Sequence, residues 1–343
     1  MSLPPSEIPQ GAIRFNTDSQ KLEFYAQGEW WVMSTDTPNL GTGADSTPGA
    51  RGVFGGGYAP GVTNTMEYIN ISSTGNAQNF GDLTRTNTGY VSQSSCSSST
   101  RGLLAGGFPM TTSIDYWTFS STGNAASFGS LTVGRYGIAA ASNATRGVFM
   151  GGNTVGNATG INDTIDYVTL ASTGNAVDFG NTVPANHNAA SCSSPIRGFT
   201  GGGSVTPGTN TNSIDYITFA TLGDTVDFSD LTRSDNLTIG LSNATRGVFA
   251  GGWTPNPTTN TIDYFIMTTQ GNAVNFGDLT VARASGADAA SPTRGVFIAG
   301  YTTGYSNIID YINISTQGDA VDFGDTTTAT QLCGGSSNAH GGL

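Results

Sequence analysis

Charge is scarce in this chain. Of its 343 residues 10% are charged, against roughly 25% in ordinary soluble proteins, and Lys21 is the sole lysine. Twelve bases against 24 acids leave a net charge of −12. That balance excludes nucleic acid as a partner, because tracking a phosphate backbone takes a basic stripe. It also excludes a polybasic membrane anchor. No run of about eighteen apolar residues occurs, so no membrane insertion by a helix is expected, and MSLPPSEIPQ lacks the basic and apolar parts of a secretory leader. Cysteine is nearly absent: Cys96, Cys192 and Cys333 are odd in number, far apart and set among small residues. They read as buried free thiols, not as a disulfide framework or metal site. The Glu, Lys and Leu that long amphipathic helices need are also in short supply.

What is abundant points the other way. There are 49 glycines, 17 Phe, 12 Tyr and 4 Trp, and 36% of the chain is hydrophobic. A sizeable core is therefore available, built from many short strands joined by tight turns. Self-similarity decides the architecture. Arg-Gly followed by apolar residues and glycines recurs at Arg51, Arg101, Arg146, Arg197, Arg246 and Arg294, at spacings of 50, 45, 51, 49 and 48 residues. Ile-Asp-Tyr follows at Asp115, Asp166, Asp215, Asp263 and Asp310, with Met-Glu-Tyr at Glu67 as the deviant copy. A third mark, S-T-G-N-A-x-x-F-G-D-L-T, is clearest at Ser73–Thr84 and recurs around Phe128, Phe179, Phe228, Phe276 and Phe323. Each copy reads as four strands: a small-residue strand, the Arg-Gly strand, the Ile-Asp-Tyr strand and the Phe-Gly strand.

A four-stranded unit of about 50 residues, with a glycine pair ending its second strand and an aromatic on its third, resembles the blade of a kelch-type propeller. The resemblance implies an all-β fold, a six-bladed kelch-like β-propeller over 51–343 with repeats starting near 51, 101, 146, 197, 246 and 294. The chain departs from that family in carrying Phe where a fourth-strand Trp is usual. Two segments compete for the first strand of the first blade. The C-terminal stretch 328–343 echoes the other first strands, and so does 41–51; the C-terminal copy is expected to close the ring and 37–50 to serve as a linker or extra inner strand.

Residues 1–36 break the period. Ala12–Thr17, Lys21–Tyr25 and Trp30–Met33 read as a three-stranded β-meander, too small to be stable alone. The string GAIRFNTDSQKLEFY followed by GEWW resembles a short module of tailed-bacteriophage tail-fibre and other appendage proteins. That resemblance implies virion attachment or oligomerisation through Phe15, Phe24, Tyr25, Trp30 and Trp31; a plain hairpin packed on the propeller's flank is the alternative.

Residue patterns that carry chemistry are few. A residue repeated once per blade maintains blade geometry, since catalysis needs one site, so the six Arg-Gly arginines and six acids are expected to be structural, pairing with each other across blades. Asp215→Asn is then expected to harm folding. His187 and His340 stand apart and outside any metal-binding spacing; His187 aligns with the arginines that open the first strand elsewhere. No cofactor and no metal is implied, with calcium on the Asn153–Asp163 loop left open. The second-to-third loops vary from copy to copy while the other turns are uniform, and Tyr58, Phe108, Trp253, Tyr301 and Tyr305 give that face aromatic surfaces suited to sugars or protein loops. The resulting expectation is a non-enzymatic virion protein whose partners are other virion proteins and a host surface glycan or receptor, with a homo-oligomer left open. A particle-borne glycan-degrading enzyme and a free lectin or kelch-type adaptor are the alternatives.

Overall fold

A computed structural model describes residues 8–16, 21–32, 50–85, 94–156, 159–206, 209–254 and 257–343. The chain divides into two compact units, Met1–Thr47 and Pro48–Leu343. The candidate linker 37–50 lies outside the described residues except for Ala50.

The first unit is a meander of Ile13–Asn16, Lys21–Ala26 and Glu29–Val32. Its register places Ile13, Phe24 and Trp31 side by side across the strands. Because side chains alternate between faces, these three and Phe15 form an apolar ridge, exposed by 63%, 36%, 49% and 59% for Ile13, Phe24, Trp31 and Phe15. The other face is knitted together. Arg14 lies 4.1 Å from the Trp30 ring centre and pairs with Glu23 at 2.8 Å, Asn16 donates to Glu23 at 2.9 Å, and Tyr25 packs on Trp30.

The second unit is all-β, and its described residues form six four-stranded antiparallel sheets. The sheet that begins with Ala139–Ser142 shows the pattern. That strand pairs with Arg146–Met150, which pairs with Thr164–Thr169, which pairs with Val177–Asn181. The first two strands are buried except at Arg146, and the third is buried at Ile165, Asp166 and Val168, whereas the fourth buries Phe179 and exposes Val177 and Asp178. A strand covered on both faces reads as a continuous apolar run and an edge strand does not, which is what the repeat displays. The Arg51 sheet takes its first strand from the far end of the chain. Gly334–Ser337 pairs with Arg51–Gly55, in register Gly335↔Phe54. The expected strand over 328–343 is thus shorter, because residues to Thr330 extend the fourth strand of the preceding sheet.

The repeated marks serve to fasten one sheet to the next. In the third mark, the Asn or Asp side-chain oxygen of each S-T-G-N-A turn accepts a backbone N–H from the fourth strand of the preceding sheet. Examples are Asp82 to Asn124 at 3.0 Å, Asn181 to Asp224 at 2.8 Å and Asp325 to Asn76 at 3.1 Å. The glycine of Phe-Gly-Asp follows from that contact: a side chain at Gly81, which has φ +151, would meet the Gly123 carbonyl of the incoming turn. The glycine of Arg-Gly has the same kind of cause. A Cβ on Gly147 would lie 2.7 Å from Cys96 Sγ of the preceding sheet's first strand.

The six arginines are not paired with the six acids, so the expected Arg–Asp pairing is corrected. Each arginine instead lies over the tyrosine of its own sheet, between 4.4 and 5.2 Å from the ring centre at Tyr68, Tyr116, Tyr167, Tyr216, Tyr264 and Tyr311. From there Arg51, Arg101, Arg146, Arg246 and Arg294 reach carbonyls of the following sheet, as from Arg51 to Phe119 at 2.7 Å and from Arg294 to Ser72 at 3.0 Å. The acids take different partners. Thr84, Thr132, Thr232 and Thr280 donate to Asp115, Asp166, Asp263 and Asp310 at 2.6–2.7 Å, and Thr327 donates to Glu67. Three other arginines complete the pairs: Arg85 with Asp115, Arg135 with Asp166 and Arg283 with Asp310.

Asp215 is the exception. Where every other copy has a Thr, followed directly by Arg at Arg85 and Arg233, this interface has Val183 and Pro184. Where others place Leu and Phe it has Thr182 and Thr200, whose hydroxyls find no partner. The carboxyl accepts only the Ser213 hydroxyl, at 3.1 Å. Burial, with Asp227 and Asp230 nearby, pushes its pKa up to about 6 from 3.8. A raised acid pKa favours the protonated folded state, so this site's contribution is fully present below pH 3.8 and is lost as pH rises through 6. The expectation that Asp215→Asn harms folding is therefore reversed. The variant should be more stable than the parent by about 2–3 kcal/mol at pH 8, and equal to it near pH 4. Urea denaturation at the two pH values checks this, and equal gains at both would show that the charge is not the cause.

Candidate functional site

In five of the six sheets, the residue just past the glycine pair is seen to pair with the connection entering the first strand. Tyr58 bridges Gln331, Asn153 bridges Tyr136, Ser204 bridges His187, Trp253 bridges Asn236 and Tyr301 bridges Ala284. His187 therefore sits at this loop position and not in an arginine's place. It is half-buried, bonds backbone to backbone with Ser204, and burial lowers its pKa.

The connections carry a second regularity. Gly137, Asn188, Leu237, Ser285 and Leu332 all adopt left-handed backbone, with φ between 55° and 64°. They are linked in series: Asn188 N–H donates to Gly137, Leu237 to Asn188, Ser285 to Leu237 and Leu332 to Ser285, at 2.7–2.9 Å. A non-glycine residue held at positive φ is strained, at a cost of about 1–3 kcal/mol, and persists where its surroundings over-determine it. Here the chain of hydrogen bonds does so.

Two of the five predicted ligand-binding aromatics meet over this chain. Trp253 and Tyr301 lie 5.5 Å apart with their planes tilted by 45°. They flank a cleft of about 300 Å³ lined also by Asn236, Leu237, Ser285, Gln331 and Leu332. Tyr305 faces Tyr301 across a tight hairpin and is 42% exposed. Tyr58 meets the cleft's edge, exchanging two backbone hydrogen bonds with Gln331 at 2.8 and 3.0 Å. Phe108 instead packs edge-on against Tyr136 at 5.4 Å. Asn236 donates to Ser204 Oγ at 3.1 Å, while its Oδ1 has no partner. The sequence did not single out Asn236, Leu237, Ser285, Gln331 or Leu332, because Leu237, Ser285 and Leu332 share a left-handed backbone, Asn236 and Gln331 share a backbone bridge, and neither set shares a residue type.

A second cavity lies between the first strands. Ser97, Ser142, Ser193, Ser242 and Ser337 line it, with His340 at its side. These serines bond to one another's backbones, Ser142 Oγ to Ser97 O at 2.8 Å and Ser97 Oγ to Ser337 O at 2.7 Å among them. His340 Nδ1 accepts the Gly342 N–H, so Nε2 carries the proton and donates to Ser97 O at 3.0 Å. Burial lowers its pKa. The cavity measures about 40 Å³, room for little more than a water.

The three cysteines are free and buried, and burial raises each thiol, Cys333 to about 11. Among the described residues no group of three or more His, Cys, Asp and Glu side chains is arranged to hold a metal ion. In the Asn153–Asp163 loop, Asn153 and Asn162 use their amide oxygens to accept the backbone N–H groups of Val155 and Thr164. Compared with protein-family models the chain matches none, and no curated protein matches it.

Proposed function

We propose that the six sheets are the blades of a closed kelch-like propeller, and that the chain is a non-enzymatic virion appendage protein. It docks through residues 1–36 and displays the propeller for binding. Closure is supported by bonds between the last sheet and the first, Asp325 N–H to Asn76, Arg294 to Ser72 and Thr327 to Glu67. The repeated arginines and acids, Arg197 and Asp215 apart, are occupied in fastening sheets together. That leaves the variable loop face as the surface open to a ligand.

The observation that carries the docking role is the N-terminal meander. It has the GAIRFNTDSQKLEFY and GEWW pattern of phage appendage modules, and it presents Ile13, Phe15, Phe24 and Trp31 on one exposed face. A sheet of three short strands with that much apolar surface requires a partner. Deleting residues 1–36 should leave the thermal transition of the remaining chain within a few degrees of the parent's and remove the protein from purified particles. Mass spectrometry of the particles decides it: retention of the truncated chain would overturn the docking role.

A further inference from the structure

The positions after the glycine pair are not distributed at random in chemistry. In chain order of the sheets they are Tyr58, Phe108, Asn153, Ser204, Trp253 and Tyr301. Since the last sheet is hydrogen-bonded to the first, the four aromatics are consecutive: Trp253, Tyr301, Tyr58 and Phe108. Asn153 and Ser204 fill the remaining arc. The loops 58–65, 108–113, 253–261 and 301–307 contain no Asp, Glu, Lys or Arg, and no charged side chain lines the cleft. The arginines beside these loops are already partnered: Arg283 is fully buried on Asp310 at 2.8 Å, and Arg233 pairs with Asp235 at 2.6 Å while donating to Thr259 and Thr261 of the Trp253 loop.

We propose, resting on the display role above, that this aromatic arc binds a neutral oligosaccharide, with one sugar ring seated in the Trp253–Tyr301 cleft and the chain continuing past Gln331 towards Tyr58. Three features select that class. The rings are 5.5 Å apart, too close to sandwich a ligand, which would need about 7–8 Å for two van der Waals contacts. Together they make one continuous platform that suits the C–H face of a pyranose. Asn236, Ser285 and Gln331 supply uncharged donors and acceptors around it, as sugar hydroxyls require. A cleft of about 300 Å³ is at the small end of ligand sites and holds a single ring, so a longer ligand must extend along the arc. With the cations beside the cleft already held by Asp235 and Asp310 and a net charge of −12, sialylated, sulfated or phosphorylated glycans gain no unpaired partner and meet repulsion.

The full chain is probed on an array of neutral and acidic oligosaccharides, and the best neutral binder is then titrated calorimetrically. Binding confined to neutral glycans is expected, weakened at least tenfold by Trp253→Ala and only a few-fold by Trp253→Phe. Tyr58→Ala should weaken a hexasaccharide more than the corresponding disaccharide, which separates the extended arc from a single-ring site. Binding that prefers acidic glycans, or that ignores Trp253→Ala in a chain with unchanged melting temperature, overturns the proposal. If no glycan binds but particles bearing the chain attach to cells through a Trp253-dependent, protease-sensitive receptor, the ligand is protein. The glycan assignment then fails while the display role stands. Absence of the chain from particles defeats the display role whatever the array shows.

Discussion

A chain ending at Cys333 is expected to lose its cooperative unfolding transition altogether. The ten deleted residues include Gly334–Ser337, whose partner Arg51–Gly55 would become an unpaired edge. They also tie several sheets at once. Asn338 Oδ1 accepts the Arg51 N–H at 2.8 Å, Ser337 Oγ accepts from Ala290 N–H and donates to Ala290 O, Ser97 Oγ donates to Ser337 O, and Gly341 N–H reaches Ser242 O. Gly335 and Ser337 are buried, so their removal opens a trench through the interior. Losing this many buried backbone pairs, each worth about 0.5–1.5 kcal/mol, together with the packing around them, rivals a whole domain's stability of about 5–15 kcal/mol. Circular dichroism during heating and size-exclusion chromatography check it. Adding a synthetic peptide of residues 331–343 should restore part of the transition, because the missing strand pairs through its backbone. A truncated chain that melts within a few degrees of the parent would mean that the sheets stand without that strand.

Asp166→Asn is the point substitution with the largest expected cost, about 3–5 kcal/mol, because it leaves a buried charge without its partner. Arg135 and Asp166 are both fully buried and lie 3.1 Å apart. Arg135 also donates to Phe149 O at 3.2 Å, and Asp166 holds Thr132 through both oxygens. Burial presses the arginine pKa down while Asp166 opposes that shift, yet a guanidinium does not give up its proton in a protein. Replacing both partners, Arg135→Met with Asp166→Asn, should recover most of the loss, since an apolar side chain in place of a buried pair is neutral or better. Urea denaturation of the two variants measures the difference. A single variant costing under about 1 kcal/mol would show that water reaches the pair. At the same repeat position the carboxylate is ion-paired where Arg135 faces it, and unpaired, with a raised pKa, at Asp215, where Pro184 stands in the preceding sheet.

The strands, their order within each sheet and the N-terminal meander were legible in the sequence. They follow from local properties: β-branched and aromatic runs, turn residues at fixed offsets, and a period that reports one supersecondary unit. The recurrence also identified which residues matter, since Arg146, Asp166 and Asn175 are all fasteners. Their partners were not legible. Equal numbers of Arg-Gly arginines and acids suggested pairing, but strand register within the sheet sets Arg146 over Tyr167, and the placing of one sheet against the next gives Asp166 to Thr132 and Arg135. The cleft divides in the same way. Trp253 and Tyr301 are visible in the sequence as aromatics at the mouth of variable loops, whereas Leu237, Ser285 and Leu332 are united only by a left-handed backbone held by hydrogen bonds between sheets. By itself the sequence determined what each repeat folds into, because strand and turn formation are local. Which side chains meet across the sheets, and so which carboxylate is paired and which aromatics share a cleft, was decided only by the tertiary structure.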